Sequence, residues 1–205
     1  LGLIAAPLAA QPLTVAALGD SLTQGYGLPQ PEGFVPQLEQ WLHENGAPEV
    51  KVLNAGVSGD TTAGGLSRVD WTLTDDVGAM IVALGGNDLL RGIEPATSRA
   101  NLEGILKAAG AKDVPVLLIG LKAPGNYGPE YQAAFDAMYP DLAQQYGTLY
   151  AESFLAALEE MPDRDATRAK YIQSDGIHPN AEGVKLIVRN LGPKVLELIA
   201  RARGE

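Results

Sequence analysis

The sequence predicts a single-domain α/β sandwich, a doubly wound five-stranded parallel sheet between two layers of helix. Three observations predict it. Short apolar runs alternate with amphipathic stretches along the chain, the pattern of strand–helix units. Each apolar run is bounded by Gly, Pro, Asn or Asp, as buried parallel strands are. The 205 residues contain no linker, repeat or low-complexity segment, and that length suits one domain with a substantial core.

The elements follow in order. Strands are expected at residues 14–18, 50–53, 79–84, 116–121 and 148–150. The first helix carries Phe34, Leu38, Trp41 and Leu42 at helical spacing and stops at Asn45-Gly46. A second covers 61–70, with Asp60 as its expected N-cap. Helices over 95–109 and 129–146 begin at Pro95 and Pro129, where a missing N–H costs little. The last, over 180–203, places Val184, Ile187, Val188, Leu191, Val195, Leu198 and Ile199 near one face, and Pro193 is expected to kink or interrupt it. The apolar start, LGLIAAPLAA over residues 1–10, followed by Gln11-Pro12, reads as a secretory-signal remnant or an N-terminal arm. Residues 1–12 are therefore set apart from a domain over 13–205. The signal reading implies a periplasmic or secreted protein, the arm reading a cytoplasmic one.

Composition excludes several classes of function. Net charge is −10 and no Lys/Arg stripe is visible, so phosphate-backbone binding to nucleic acid is not expected. No apolar segment is long enough for stable membrane insertion. The absence of cysteine removes disulfides, thiolate metal sites and a cysteine nucleophile. No cluster with metal-ligand spacing and no phosphate-binding glycine loop is seen, so no metal or cofactor is expected.

In an open parallel sheet, ligands bind beyond the carboxyl ends of the strands. Gly19-Asp20-Ser21-Leu22 follows the first expected strand, Asn54 to Thr61 the second, and Gly85-Gly86-Asn87-Asp88 the third. The loop Asp175-Gly176-Ile177-His178-Pro179-Asn180 precedes the last helix and can reach the same rim. Acyl transfer needs a nucleophile, a base, an orienting group and donors for the oxyanion. Of the two histidines, His43 lies near a helix C-terminus, a place for dipole or surface service. His178 stands three residues after Asp175, which can fix its tautomer and leave the other ring nitrogen for Ser21. The N–H groups of Ser21 and Gly59 and the amide of Asn87 are the oxyanion candidates; glycine lets backbone approach substrate closely. Each piece alone is weak, since loop serines, Asp-x-x-His pairs and Gly-Gly-Asn-Asp turns are common. Their order on the ends of strands gives them weight, and Asp20 and Asp60 read as caps or braces.

These four blocks resemble the SGNH, or GDSL, hydrolase superfamily. Within it the chain is similar to the bacterial multifunctional thioesterase I, arylesterase and lysophospholipase group. Ser58-Gly59-Asp60-Thr61-Thr62, residues 84–89 with Arg91-Gly92, Pro124-Gly125-Asn126-Tyr127-Gly128 and residues 175–180 carry the likeness in order and spacing. Lys122-Ala123 departs from the group, where an Arg and a larger residue are expected. The resemblance implies a flavodoxin-like three-layer fold, a Ser21–His178–Asp175 triad and an oxyanion hole of Ser21, Gly59 and Asn87. It implies a cofactor-free serine hydrolase of esters or thioesters, monomeric or a small homo-oligomer. The substrate would be a small molecule: an aryl or short- to medium-chain acyl ester, an acyl-CoA or a lysophospholipid. Leu89, Leu90, Ile93, Tyr127 and Pro129 are the expected apolar wall for its acyl or aryl group. A carbohydrate or peptidoglycan O-acetylesterase with the same machinery is the alternative, and a non-catalytic α/β binding module a more distant one. The Gly-x-Ser-x-Gly elbow of α/β-hydrolases is absent.

Overall fold

A computed structural model describes residues 12–205. The proposed signal remnant or arm falls almost wholly outside these residues. Strand β1 (Leu13–Gly19) leads into a single-turn helix α1 (Ser21–Gln24), then α2 (Phe34–Glu44), β2 (Val50–Gly56), α3 (Thr62–Thr72) and β3 (Val77–Ala83). There follow α4 (Gly86–Leu90), α5 (Pro95–Gly110), β4 (Val116–Ile119), α6 (Pro129–Tyr146) and β5 (Leu149–Ala151). The chain closes with α7 (Ala156–Glu159), α8 (Arg164–Tyr171) and α9 (Ala181–Arg203). The five strands form one parallel sheet in the order β2-β1-β3-β4-β5, as expected of a doubly wound fold.

The strand pleat explains the two-sided core. Val15 and Ala17 of β1, with Ala79 and Ile81 of β3 and Leu117 of β4, point to one face, where Leu38 and Leu42 of α2 and Val188, Leu191, Val195 and Leu198 of α9 cover them. Ala16, Leu18, Met80, Val82 and Leu118 point to the other, beneath Val69 of α3, Leu102 and Ile105 of α5, and Phe135 and Tyr139 of α6. Alternate residues of one strand therefore feed different helical layers, and neither face of the central strands meets water.

Three local expectations are corrected. Strand β2 runs to Gly56 rather than ending at 53, because Asn54, Ala55 and Gly56 pair with Ala17, Leu18 and Gly19 of β1. The N-cap of α3 is Thr61, whose hydroxyl accepts from the Gly64 N–H. Asp60 is instead committed to Arg68, at 2.7 Å. Pro193 does not interrupt α9, which is helical across all 23 residues. A proline inside a helix costs about 3 kcal/mol. Each fully buried aliphatic side chain returns about 1.5–3 kcal/mol, and α9 buries Val188, Leu191, Val195, Leu198 and Ile199 around it.

Candidate active site

The strand order reverses between β1 and β3, since the chain steps from β1 outward to β2 and returns across to β3. That switch point is where a doubly wound sheet leaves a crevice at its carboxyl edge, and the first three sequence blocks lie along it.

Asp20 caps α1, accepting from the Leu22 N–H at 3.0 Å. Ser21 is the first helical residue, so its N–H lies among those a helix cannot satisfy internally. The Val57 N–H donates to the Gly19 carbonyl at 3.0 Å, tying the second block to the first. Gly59 has φ +82°, a left-handed conformation that suits glycine. Its N–H, like that of Ser21, has no acceptor among the described residues. The Asn87 side-chain amide donates to the Asp60 carbonyl at 2.9 Å and stands 3.4 Å from Asp20 Oδ2. The three expected oxyanion donors thus occur on three successive connections, cross-tied to one another.

The fourth block arrives on a short antiparallel return. Ile172 bridges Pro179, the Gln173 N–H donates to the His178 carbonyl at 2.7 Å, and the Asn180 N–H donates to the Tyr171 carbonyl at 2.8 Å. Gly176 turns the tip with φ +74°. Within this loop Asp175 Oδ1 accepts from the N–H groups of Ile177 at 2.9 Å and His178 at 3.0 Å. That leaves Oδ2 for His178 Nδ1, 2.6 Å away. His178 Nε2 lies 2.9 Å from Ser21 Oγ. With Nδ1–H donating to the carboxylate, Nε2 carries a lone pair and accepts from the serine hydroxyl. The bonds from the His178 ring, the Ile177 N–H and the His178 N–H hold Asp175 down at about 2, so it is ionised across the neutral range. The arrangement can remove a proton from Ser21 and hold the resulting imidazolium beside a fixed anion.

The bracing contacts of several supporting residues carry no signal in the sequence. Arg68, on α3, donates to Asp60 Oδ2 at 2.7 Å, to the Ala55 carbonyl at 2.7 Å and to the Gly19 carbonyl at 2.9 Å. It binds the first and second blocks together. Asp88 is fully buried and accepts from the Thr62 N–H, the Thr62 hydroxyl and the Ser98 hydroxyl at 2.8, 2.6 and 2.8 Å. It fixes the third block to α3 and α5. The Tyr26 ring lies 4.6 Å from the imidazole, centroid to centroid. None of these pairs has a helical or strand-like spacing that a pattern could reveal. His43 stands apart from the site, its Nε2 2.8 Å from the Val50 carbonyl.

Asp20 is also electrostatically unusual. Burial pushes its carboxyl from 3.8 up to about 6, against the opposing effects of the Leu22 N–H and His178. A raised carboxyl makes a contribution to stability that is full below pH 3.8 and lost as pH rises through about 6. The difference corresponds to about 3 kcal/mol at neutral pH. Asp20→Asn, which keeps a side-chain oxygen for the Leu22 N–H, is therefore expected to raise unfolding free energy by about 2–3 kcal/mol at pH 8 and by almost nothing at pH 4. Urea denaturation at the two pH values checks this; an equal effect at both removes the buried charge as its cause.

A cavity of about 790 Å³ opens beside the fourth block, with Gly176 and Ile177 in its wall. Residues 122–125, Leu155, Leu158 and Ile172 line the rest of its apolar surface. The expected acyl-wall residues lie elsewhere on the rim. Leu90 and Tyr127 are both exposed, the Tyr127 hydroxyl 3.5 Å from the Leu90 carbonyl. Leu89 packs against the core beneath α5 and α6. The Ile93 carbonyl accepts from the Tyr131 hydroxyl at 2.8 Å, and Pro129 begins α6. Among the described residues no cluster of His, Asp or Glu could hold a metal ion, and no helix is long and apolar enough to cross a membrane.

Known proteins resemble this chain over most of its length. Residues 17–186 match the model of the GDSL-like lipase/acylhydrolase family. The chain is 36% identical to esterase TesA of Pseudomonas aeruginosa over 187 residues, covering 91% of this chain and 89% of that protein. It is 33% identical to thioesterase 1/protease 1/lysophospholipase L1 of Escherichia coli, over 91% of this chain and 85% of that one. Among solved structures, AlinE4, an SGNH-hydrolase family esterase, is 41% identical with a TM-score of 0.74, covering 93% of this chain and 98% of its own. The crystal structure of TesA is 35% identical with a TM-score of 0.80, covering 90% and 99%. With the sheet order, the four blocks at its carboxyl edge and the match over most of its length, this chain belongs to the GDSL-like lipase/acylhydrolase family.

Proposed function

We propose that this protein hydrolyses carboxylic esters and thioesters by a serine acyl-enzyme mechanism. The observation that carries the reading is the unbroken chain Asp175–His178–Ser21, at 2.6 and 2.9 Å. Ser21 Oγ attacks the carbonyl carbon as His178 Nε2 takes its proton. The carbonyl oxygen becomes an oxyanion, met by the free N–H groups of Ser21 and Gly59 and by the Asn87 amide. Collapse breaks the bond to the leaving oxygen or sulfur, which His178 protonates. Water then attacks the acyl-enzyme by the same route and returns Ser21 to its starting state.

The cavity whose wall includes Gly176 and Ile177, the two residues before His178, receives the non-reacting part of the substrate. Its apolar wall of Ala123, Pro124, Leu155, Leu158, Ile172 and Ile177 has room for far more than an acetyl group, which favours medium acyl or aryl esters over the O-acetylesterase alternative. Leu90 and Tyr127, both exposed and with the Tyr127 hydroxyl 3.5 Å from the Leu90 carbonyl, offer a second apolar surface. Hydrolysis of p-nitrophenyl acetate, butyrate, octanoate and palmitate tests both points. Rates that rise from acetate to octanoate are expected; a strong preference for acetate transfers the reading to the O-acetylesterases, and inertness toward all four removes it.

The oxyanion assignment has its own test. Asn87→Ala is expected to lower kcat by about 10²–10³, or about 2.7–4 kcal/mol, as removal of an oxyanion donor does. An unchanged kcat takes Asn87 out of that role and leaves it as a tie between the Asp60 and Asp20 loops.

A further inference from the structure

Helix α8 (Arg164–Tyr171) has no fully buried side chain, and Tyr171 at its end packs against the core, so little tertiary packing accounts for the sequence before it. Its Asp163 cap is well made, accepting from the Ala166 N–H at 2.9 Å. Two features nonetheless work against the helix. Arg164 sits at the first position, where the positive end of the helix dipole disfavours a cation. Arg164 and Arg168 are also like charges four residues apart, an unfavourable pair on a helix surface. Both, with Thr167 between them, lie on the face that lines the 790 Å³ cavity.

Neither arginine forms an ion pair among the described residues. The same cavity is lined by Glu159, Glu160 and Lys122. Lys122 is committed to Glu152 at 2.9 Å and also feels Glu159, so Glu159 belongs to the lysine's side of the opening. Arg168 lies at the other side, against the catalytic loop. A Cβ at Gly176 would stand 2.3 Å from Arg168 Nη2, so the guanidinium rests directly on that glycine, two residues from His178. Asp175 forms no ion pair with it; its oxygens accept from the imidazole and from the Ile177 and His178 N–H groups.

We propose that Arg164 and Arg168 form an anion-recognition site on the wall of the substrate cavity. The enzyme then prefers esters and thioesters whose cavity-bound part carries an oxyanion group, carboxylate or phosphate. The guanidinium fork suits either, and an anion between two like charges removes the repulsion that the free helix bears. This inference rests on the hydrolase reading and adds the class of substrate.

The anion can belong to the acyl end or to the leaving group, and two matched pairs distinguish them. The first is mono-p-nitrophenyl hexanedioate against its methyl ester. The second is octanoyl-coenzyme A against octanoyl-N-acetylcysteamine. In at least one pair kcat/KM is expected to favour the anionic member by about tenfold, as two partly exposed charge pairs allow. That ratio should fall toward unity in Arg164→Gln/Arg168→Gln and in about 0.5 M NaCl, where charges are screened within a few ångströms. A ratio at or below unity in both pairs, or one that the double substitution leaves in place, overturns the proposal. Calorimetric titration of Ser21→Ala protein with hexanedioate, its neutral diamide and coenzyme A needs no turnover. At least one of the two anionic ligands should bind more tightly than the neutral hexanediamide and lose that advantage when both arginines are replaced; equal affinities overturn the anion site. Failure of the wild-type protein to cleave the neutral esters counts against the hydrolase reading alone.

Discussion

Ser21→Ala is expected to reduce kcat on p-nitrophenyl butyrate by about a millionfold, the loss seen when a serine nucleophile acting in a triad is removed. The fold should survive, because the hydroxyl makes one partly buried hydrogen bond, to His178, worth about 0.5–1.5 kcal/mol. Ser21 is not part of either core cluster. Residual hydrolysis of about 10³–10⁴ over water is expected from the oxyanion donors and binding alone. The comparison needs a stopped-flow trace as well as a steady-state rate: the wild-type acyl-enzyme burst should vanish with turnover. A variant that keeps wild-type kcat would show that the hydrogen-bonded chain is not the catalytic unit, whatever other residues surround it.

Asp175→Asn is expected to lower kcat by about 10⁴ with little change in structure. The geometry gives the reason. Oδ1 is occupied by the Ile177 and His178 N–H groups, and Oδ2 faces His178 Nδ1. An amide in that place keeps its oxygen on the two backbone donors and turns its NH₂ toward the ring. Nδ1 must then accept, the proton moves to Nε2, and Nε2 can no longer take the proton of Ser21. The acid side offers a second check. A carboxyl held down at about 2 contributes stability above pH 3.8 that is lost as pH falls through about 2. Asp175 therefore stays charged wherever the enzyme folds near neutrality, and the wild-type pH–rate profile should show no ionisation of this group above about pH 4. A loss of less than about tenfold in the Asn variant would exclude Asp175 as the orienting group.

The strands and long helices were legible because their signals are local. An apolar run ended by glycine or aspartate marks a buried strand, and a repeat of apolar residues every three or four positions marks a covered helix face. The errors arose where a local rule met a contact from elsewhere. Asp60 has the right chemistry for an N-cap, but Arg68 claims its carboxylate, and Thr61 takes the place. Residues 54–56 look like loop, yet β1 pairs with them to its last residue. Pro193 should break a helix, yet the apolar residues around it are buried on the sheet. Helix α8 offers no apolar stripe at all, and charge alone does not announce a helix.

For the site, the sequence by itself determined which chemical groups were available and that they fall at strand ends. One serine, one loop histidine, one aspartate three residues before it, a glycine and an asparagine stand in an order and spacing that carry the family likeness. Only the tertiary structure decided what surrounds them. Arg68 joins connections up to 49 residues away in sequence, and Asp88 gathers donors from two helices. The cavity brings together residues 122–125, the α7–α8 segment and the catalytic loop. The physical reason is that triad residues must carry particular functional groups, so their identity is written in the chain. A brace or a cavity wall needs only a side chain that reaches the right point, and where that point lies is fixed by how the helices pack across the sheet.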